Sequence, residues 1–156
     1  MTQSTQGNRP TGAGDDTDVV LLGICRLALG TSIRAGYVVE PPLSPTQIRT
    51  LTLLAAARDG LSVTAVADAL AATVPSASRI VQRLVRDGLV ERTAGPGHEH
   101  RLALSADGAA ALAIVNRARL VPLRALLDRL AVGRSRSVVT ALQDVLDAVR
   151  DTDEVW

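Results

Sequence analysis

The chain of 156 residues has no lysine and no phenylalanine, and only one cysteine, one tyrosine and one tryptophan. Each shortage excludes something. With Cys25 alone, an intrachain disulfide framework and a cysteine-based zinc site are ruled out. With Tyr37 and Trp156 as the whole aromatic content, the core must be aliphatic and a ligand ring has little to stack on. All 17 basic residues are arginine, whose fork of donors suits guanine edges and phosphate. Sixteen acids leave a net charge of +1, so bulk charge gives no support to nucleic-acid binding and any such case rests on local placement. No Gly-rich phosphate loop, paired carboxylates on one face or nucleophile elbow is present. Catalysis therefore has no support, and neither an enzyme nor a cofactor is expected.

What is present suits one soluble folded domain: 47% of residues are hydrophobic and 21% charged. Residues 1–16 are polar and rich in Gly and Thr, and read as a disordered tail. The apolar run 19–29, VVLLGICRLAL, does not read as a signal peptide. Asp15, Asp16 and Asp18 stand where a positive flank belongs, and Arg26 interrupts the run. It is also shorter than the roughly 20 residues a bilayer-spanning helix needs. A cytoplasmic protein without membrane contact is expected.

The spacing predicts a first helix over about Thr17–Val38, apolar on more than one face, which calls for burial on more than one side. Ser44-Pro45-Thr46-Gln47 is a capping box with Pro at the first helical position, and it opens a second helix carrying Ile48, Leu51 and Leu54. Ser62 caps a short third helix, about Val63–Leu70. Thr73 caps a fourth, with Ile80, Val81, Leu84 and Val85 inward. Leu89–Thr93 and Arg101–Leu104 read as two strands around the turn Gly95-Pro96-Gly97. A fifth helix, about Ala106–Leu130, contains Pro122, which should kink it. A sixth, about Ser137–Arg150, carries the stripe Val138, Leu142, Val145, Leu146 and Val149.

Residues 61–92 are the most informative. Two short helices joined by a tight turn run into a hairpin. The second helix gathers Ser76, Ser78, Arg79, Gln82 and Arg83 on the side away from its apolar stripe, as a helix entering a DNA major groove requires. Thr73, Ser76, Ser78, Arg79, Gln82 and Arg83 are the candidate DNA-binding residues, joined by Arg101 from the hairpin. The ordinary reading of the helix residues is a solvated face; the surrounding helix-turn-helix and hairpin favour DNA. Arg79 has a second reading, an ion pair to Asp68 or Asp87. His98 and His100 flank Glu99 at a spacing that imitates a metal cluster, but no third ligand lies nearby and no metal is expected.

The set of motifs Leu43-Ser44-x-x-Gln47-x-x-x-Leu51-x-x-Leu54, Val63-x-x-Val66-Ala67-x-x-Leu70, Ser76-x-Ser78-Arg79-x-Val81-x-Arg83-Leu84, Gly88-Leu89-Val90-Glu91-Arg92 and Leu104-Ser105-x-x-Gly108 resembles the MarR family of winged-helix transcription regulators. The resemblance implies a mainly α fold: a winged helix-turn-helix with a two-stranded β hairpin, over about 43–105. Helices over about 17–39 and 106–150 would form a dimerisation region, and residues 17–156 one domain. It implies a homodimer on double-stranded DNA with a pseudo-palindromic operator, acting in repression or activation, with a repressor modulated by a small-molecule effector the favoured form. An arginine near the junction of helices 1, 2 and 5 would take an anionic effector; Arg26, Arg34, Arg49 and Arg58 are candidates, each also readable as a surface ion pair.

The hairpin departs from the family pattern. Glu99-x-Arg101 is the nearest echo of the usual Asp-x-Arg, and it stands so close to Leu104 that the wing looks shortened. Arg101 is then either a tip or a strand residue, and His98 or His100 takes the tip. Peroxide-sensing relatives carry a cysteine on helix 1, which gives Cys25 a redox reading beside the ordinary one of a small buried hydrophobe. Cys25 lies closer to helix 2 than theirs, and their aromatic partners are missing. A winged-helix protein-interaction module without DNA binding is the remaining alternative.

Overall fold

A computed structural model describes residues 12–94, 100–131 and 133–150. Helix α1 (Gly12–Ala35) continues into a 3-10 turn (Gly36–Val38), followed by α2 (Pro45–Ala56), α3 (Val63–Ala69), α4 (Val74–Arg86), β1 (Val90–Ala94), β2 (His100–Leu104), α5 (Ala106–Asp128) and α6 (Arg134–Arg150). The mainly α fold with one antiparallel hairpin is as expected. Three boundaries move. Helix α1 takes in residues 12–16, assigned above to the tail, and its last residues tighten to 3-10. Helix α6 starts about a turn early, at Arg134. The strands pair Val90 with Leu104 through Ala94 with His100, so the return strand begins one residue sooner than expected. The turn at 95–97, with His98 and Glu99, lies outside the described residues, as do residues 1–11 and the side chain of Val149.

Local chemistry fixes the helix starts. The Ser44 hydroxyl accepts from the Gln47 N–H at 3.2 Å while Gln47 Oε1 accepts from the Ser44 N–H at 2.9 Å, the reciprocal box read from the sequence. Ser62, Thr73 and Ser105 cap α3, α4 and α5 through the N–H three residues on. Gly108 allows α5 to begin against the connection between α4 and β1, because a Cβ there would overlap the Leu89 carbonyl.

The apolar core is built from aliphatic side chains, with Thr50 and Gln47 buried beside it. Ile48, Leu51 and Leu54 of α2 meet Val66 and Ala67 of α3, Ala77, Val81 and Leu84 of α4, Val90 and Leu102 of the hairpin, and Leu112 and Val115 of α5. Each fully buried Leu, Ile or Val contributes roughly 1.5–3 kcal/mol, so these residues dominate the stability of the unit.

The two terminal helices differ. Only the C-terminal turns of α1 pack on α5, burying Thr31 and Ala35. Val19, Val20, Leu21, Leu22, Ile24 and Leu29 remain exposed. Among the described residues α6 packs closely on no other element, and Leu142, Val145 and Leu146 lie in the open. By length and composition, Asp16–Val38 makes a helix long enough and apolar enough to cross a membrane. That corrects the argument from the run 19–29 alone, since the helix extends well beyond it. The buried turns at Thr31 and Ala35 commit one side of α1 to protein.

Candidate nucleic-acid interface

Helix α3 reverses into α4 over four residues. The turn holds Ala71 at φ 51, left-handed backbone that a side chain rarely adopts, and closes with the Ala72 N–H on the Ala67 carbonyl at 2.9 Å. Thr73 then accepts from the Ser76 N–H at 3.4 Å and donates to Ser76 Oγ at 3.0 Å. Ala77, Val81 and Leu84 seat α4 on the core. Their spacing sends Ser76, Arg79, Gln82 and Arg83 outward, all exposed, with Ser78 half-buried beside them. Gln82 Nε2 reaches Ser78 Oγ at 3.4 Å. The six helix residues singled out from the sequence therefore share one surface.

Asp87 engages Arg83 at 3.9 Å and Arg86 at 3.5 Å, and both arginine side chains are mostly exposed. Pairs this long and wet contribute little, so both guanidinium groups can be redirected by an incoming anion. With Asp87 so occupied, and with no ion pair to Asp68 among the described residues, Arg79 is left to solvent. Arg86, on the same outward row as Arg79 and Arg83, was missed in the sequence; its spacing three residues beyond Arg83 was the available signal.

Arg101 is not at the wing tip. Pairing with Thr93 makes it a strand residue, and its Nη1 donates to the Gly60 carbonyl at 3.2 Å. Leu61 and Leu102 exchange both backbone hydrogen bonds beside it, at 3.0 and 2.8 Å. Gly60, at φ +68, has no room for a side chain against the Leu102 carbonyl. The strand register turns Arg101 toward the α2–α3 connection, so the structure gives it a tethering contact. His100 is exposed opposite Ala94, and Arg92 is exposed on β1.

Residues 42–99 match the MarR family, a span that holds α2, α3, α4 and the hairpin's first strand. Over this span the chain matches the family model, and with β2 it has the winged-helix fold. Solved structures share the fold over most of the chain. RV1404 from Mycobacterium tuberculosis is 23% identical, with a TM-score of 0.76, covering 94% of this chain and 100% of that one. MepR, a transcription regulator of the Staphylococcus aureus multidrug efflux pump MepA, is 20% identical with a TM-score of 0.65, covering 81% of this chain and 95% of that one. A MepR variant bound to an oligodeoxyribonucleotide is 18% identical with a TM-score of 0.65, covering 85% and 97%. No curated protein sequence matches the chain.

Outside the MarR-type winged helix, Cys25 is exposed on α1, which corrects its reading as a buried hydrophobe. The stripe around it is left uncovered, so the thiol has nothing to bury against. Among the described residues no group of three or more His, Cys, Asp or Glu gathers to hold a metal. Of the effector candidates, Arg49 donates to the Ala69 carbonyl at 2.9 Å and lines a shallow cleft of about 280 Å³ with Thr52, Leu53 and Arg119. Burial pulls the Arg119 guanidinium below its usual pKa. Arg34 lines a smaller cleft with Thr31 and Pro122, while Arg26 and Arg58 are exposed.

Proposed function

We propose that the protein is a sequence-specific DNA-binding transcriptional regulator acting as a cytoplasmic homodimer, a repressor released by a small-molecule effector. The observation that carries the reading is the outward face of α4. A short helix and a hairpin flank it, and its side chains are donors or small hydroxyls, without a carboxylate before Asp87. In this reading α4 enters the major groove, with Gln82 or Arg83 reaching base edges and Ser76, Ser78 and Arg79 holding phosphates. The dimer is supported by the uncovered apolar faces of α1 and α6, which would bury each other's stripes and place two α4 helices one DNA turn apart. MepR lends analogy on both counts: its variant is bound to an oligodeoxyribonucleotide, and another MepR structure holds ethidium bromide.

The exposed thiol of Cys25 favours one second reading, a redox-sensing regulator of the same architecture. Cys25→Ser decides it: an oxidant response of DNA binding that survives the substitution removes the idea. A protein-interaction module fits less well, because a protein-binding α4 face would be more apolar than this one. The main reading is tested by selecting bound fragments from genomic DNA with purified protein at about 150 mM salt. An enriched palindrome with half-sites one helical turn apart is expected. A folded dimer that enriches nothing overturns the reading.

A further inference from the structure

Between Asp107 and Asp128, helix α5 carries three arginines and no acidic residue. Two of them, Arg117 and Arg124, flank a cleft of about 350 Å³ along one side of the helix. Ala113, Asn116, Leu120 and Val121 complete its walls, and no carboxylate lines it. Leu120 is 45% exposed and Val121 63%. Both arginines are exposed, and neither has an ion-pair partner among the described residues. An apolar floor between two cations calls for an occupant that is apolar and acidic at once. Phosphate would meet the charge and leave Leu120 and Val121 in water.

The chain itself holds such a segment. Residues 151–156, Asp-Thr-Asp-Glu-Val-Trp, carry three acids, no base, and a valine beside the only tryptophan. In an extended chain Glu154 and Trp156 stand roughly 6.5 Å apart. Along α5, either arginine is separated from the pair Leu120 and Val121 by roughly 5–6 Å. An acid therefore meets a guanidinium while the indole covers the two apolar side chains. The start of α6 is fixed at the end of α5, where Ser135 Oγ donates to the Leu127 carbonyl at 2.8 Å. A helix lying back along α5 would pack on it, yet among the described residues α6 packs closely on no other element. Helix α6 therefore diverges, and carries the segment away from the groove of its own chain. Its uncovered stripe belongs, in the homodimer reading, on a second copy, and delivers the segment to that copy's surface.

We propose that residues 151–156 of one copy dock in the α5 groove of a second copy, their acids against Arg117 and Arg124 and Trp156 over Leu120 and Val121. The choice of copy rests on the homodimer reading above; the pairing of segment and groove does not.

Trp156 is the only tryptophan, so its fluorescence in the full chain reads the segment alone. In a wild-type dimer, established by sedimentation, emission is expected to be blue-shifted from that of N-acetyltryptophanamide. Quenching by acrylamide should be weaker by about threefold or more. Arg117→Glu with Arg124→Glu, both at exposed positions, should bring both readings to those of the free amide. Adding Asp151→Arg, Asp153→Arg and Glu154→Arg should restore protection, because opposite charges face each other again. A wild-type dimer whose Trp156 quenches like the free amide overturns the docking. Protection that survives the groove reversal, or that the compensating reversal fails to restore, overturns the groove as its place; a partner helix then covers α5 instead. The copy is decided by refolding the groove variant together with an excess of Trp156→Ala protein, whose groove is intact. Restored protection is expected, and its failure overturns docking between copies. A wild type that sediments as a monomer removes the homodimer reading and the second copy with it, while the quenching and the charge reversals still decide the pairing.

Discussion

The winged-helix body and the two terminal helices carry equally apolar stripes and meet opposite fates. In the body, Leu51 and Leu84 are 0% exposed; on α1 and α6, Leu22 and Leu146 are 55% and 53% exposed. Helix α4 and helix α6 are both amphipathic by spacing, yet among the described residues only α4 finds its complement. The difference lies in neighbours and not in pattern. Residues 43–105 bring two helices and a hairpin around α4 through short connections, whereas among the described residues α6 packs closely on no other element. An apolar stripe of that size left in water marks an interaction surface.

This contrast can be broken at several points. The largest effect is expected inside the body. Gly108→Val drives side-chain atoms into the Leu89 carbonyl and should cost about 3 kcal/mol or more, read by urea denaturation. A change below 1 kcal/mol would mean the body is looser than its burial implies. On the terminal helices, Val145→Asp should leave the body folded while weakening dimerisation by about 3 kcal/mol, roughly two decades in Kd. Sedimentation together with circular dichroism separates the two, and an unchanged dimer would put the subunit contact elsewhere.

Smaller effects sharpen the view of the body's own exposed side. Arg83→Ala should weaken binding to a selected operator by about 1–3 kcal/mol and relax the sequence preference at one position. Equal loss on every sequence would reduce Arg83 to a phosphate contact. Arg101→Ala should lower stability by about 1 kcal/mol through loss of the Gly60 contact, and leave the salt dependence of DNA binding unchanged. A salt slope shallower by about one would return Arg101 to the DNA. The smallest change is Ala71→Gly, which relieves left-handed backbone and should stabilise the protein by about 0.5 kcal/mol, net of the flexibility glycine adds to the unfolded chain.

The features legible from residues alone are those with local causes. Ser44, Ser62, Thr73 and Ser105 each sit three residues before the N–H they accept from, so four helix starts could be read from spacing. The outward set on α4 followed from its period. Arg101 was not legible in the same way, because a strand residue's direction depends on register, and register is a contact between distant segments. The freedom of Arg79 depended likewise on which arginines had already claimed Asp87.

The order of helices, their caps, the hairpin and the polar face of α4 could be read along the chain, because these depend on neighbours within a turn or two. Only the packed chain shows that Arg101 ties β2 to Gly60 and that the stripes of α1 and α6 are uncovered among the described residues. Each of these depends on which distant groups meet and which are left without a partner, and periodicity and composition do not encode that.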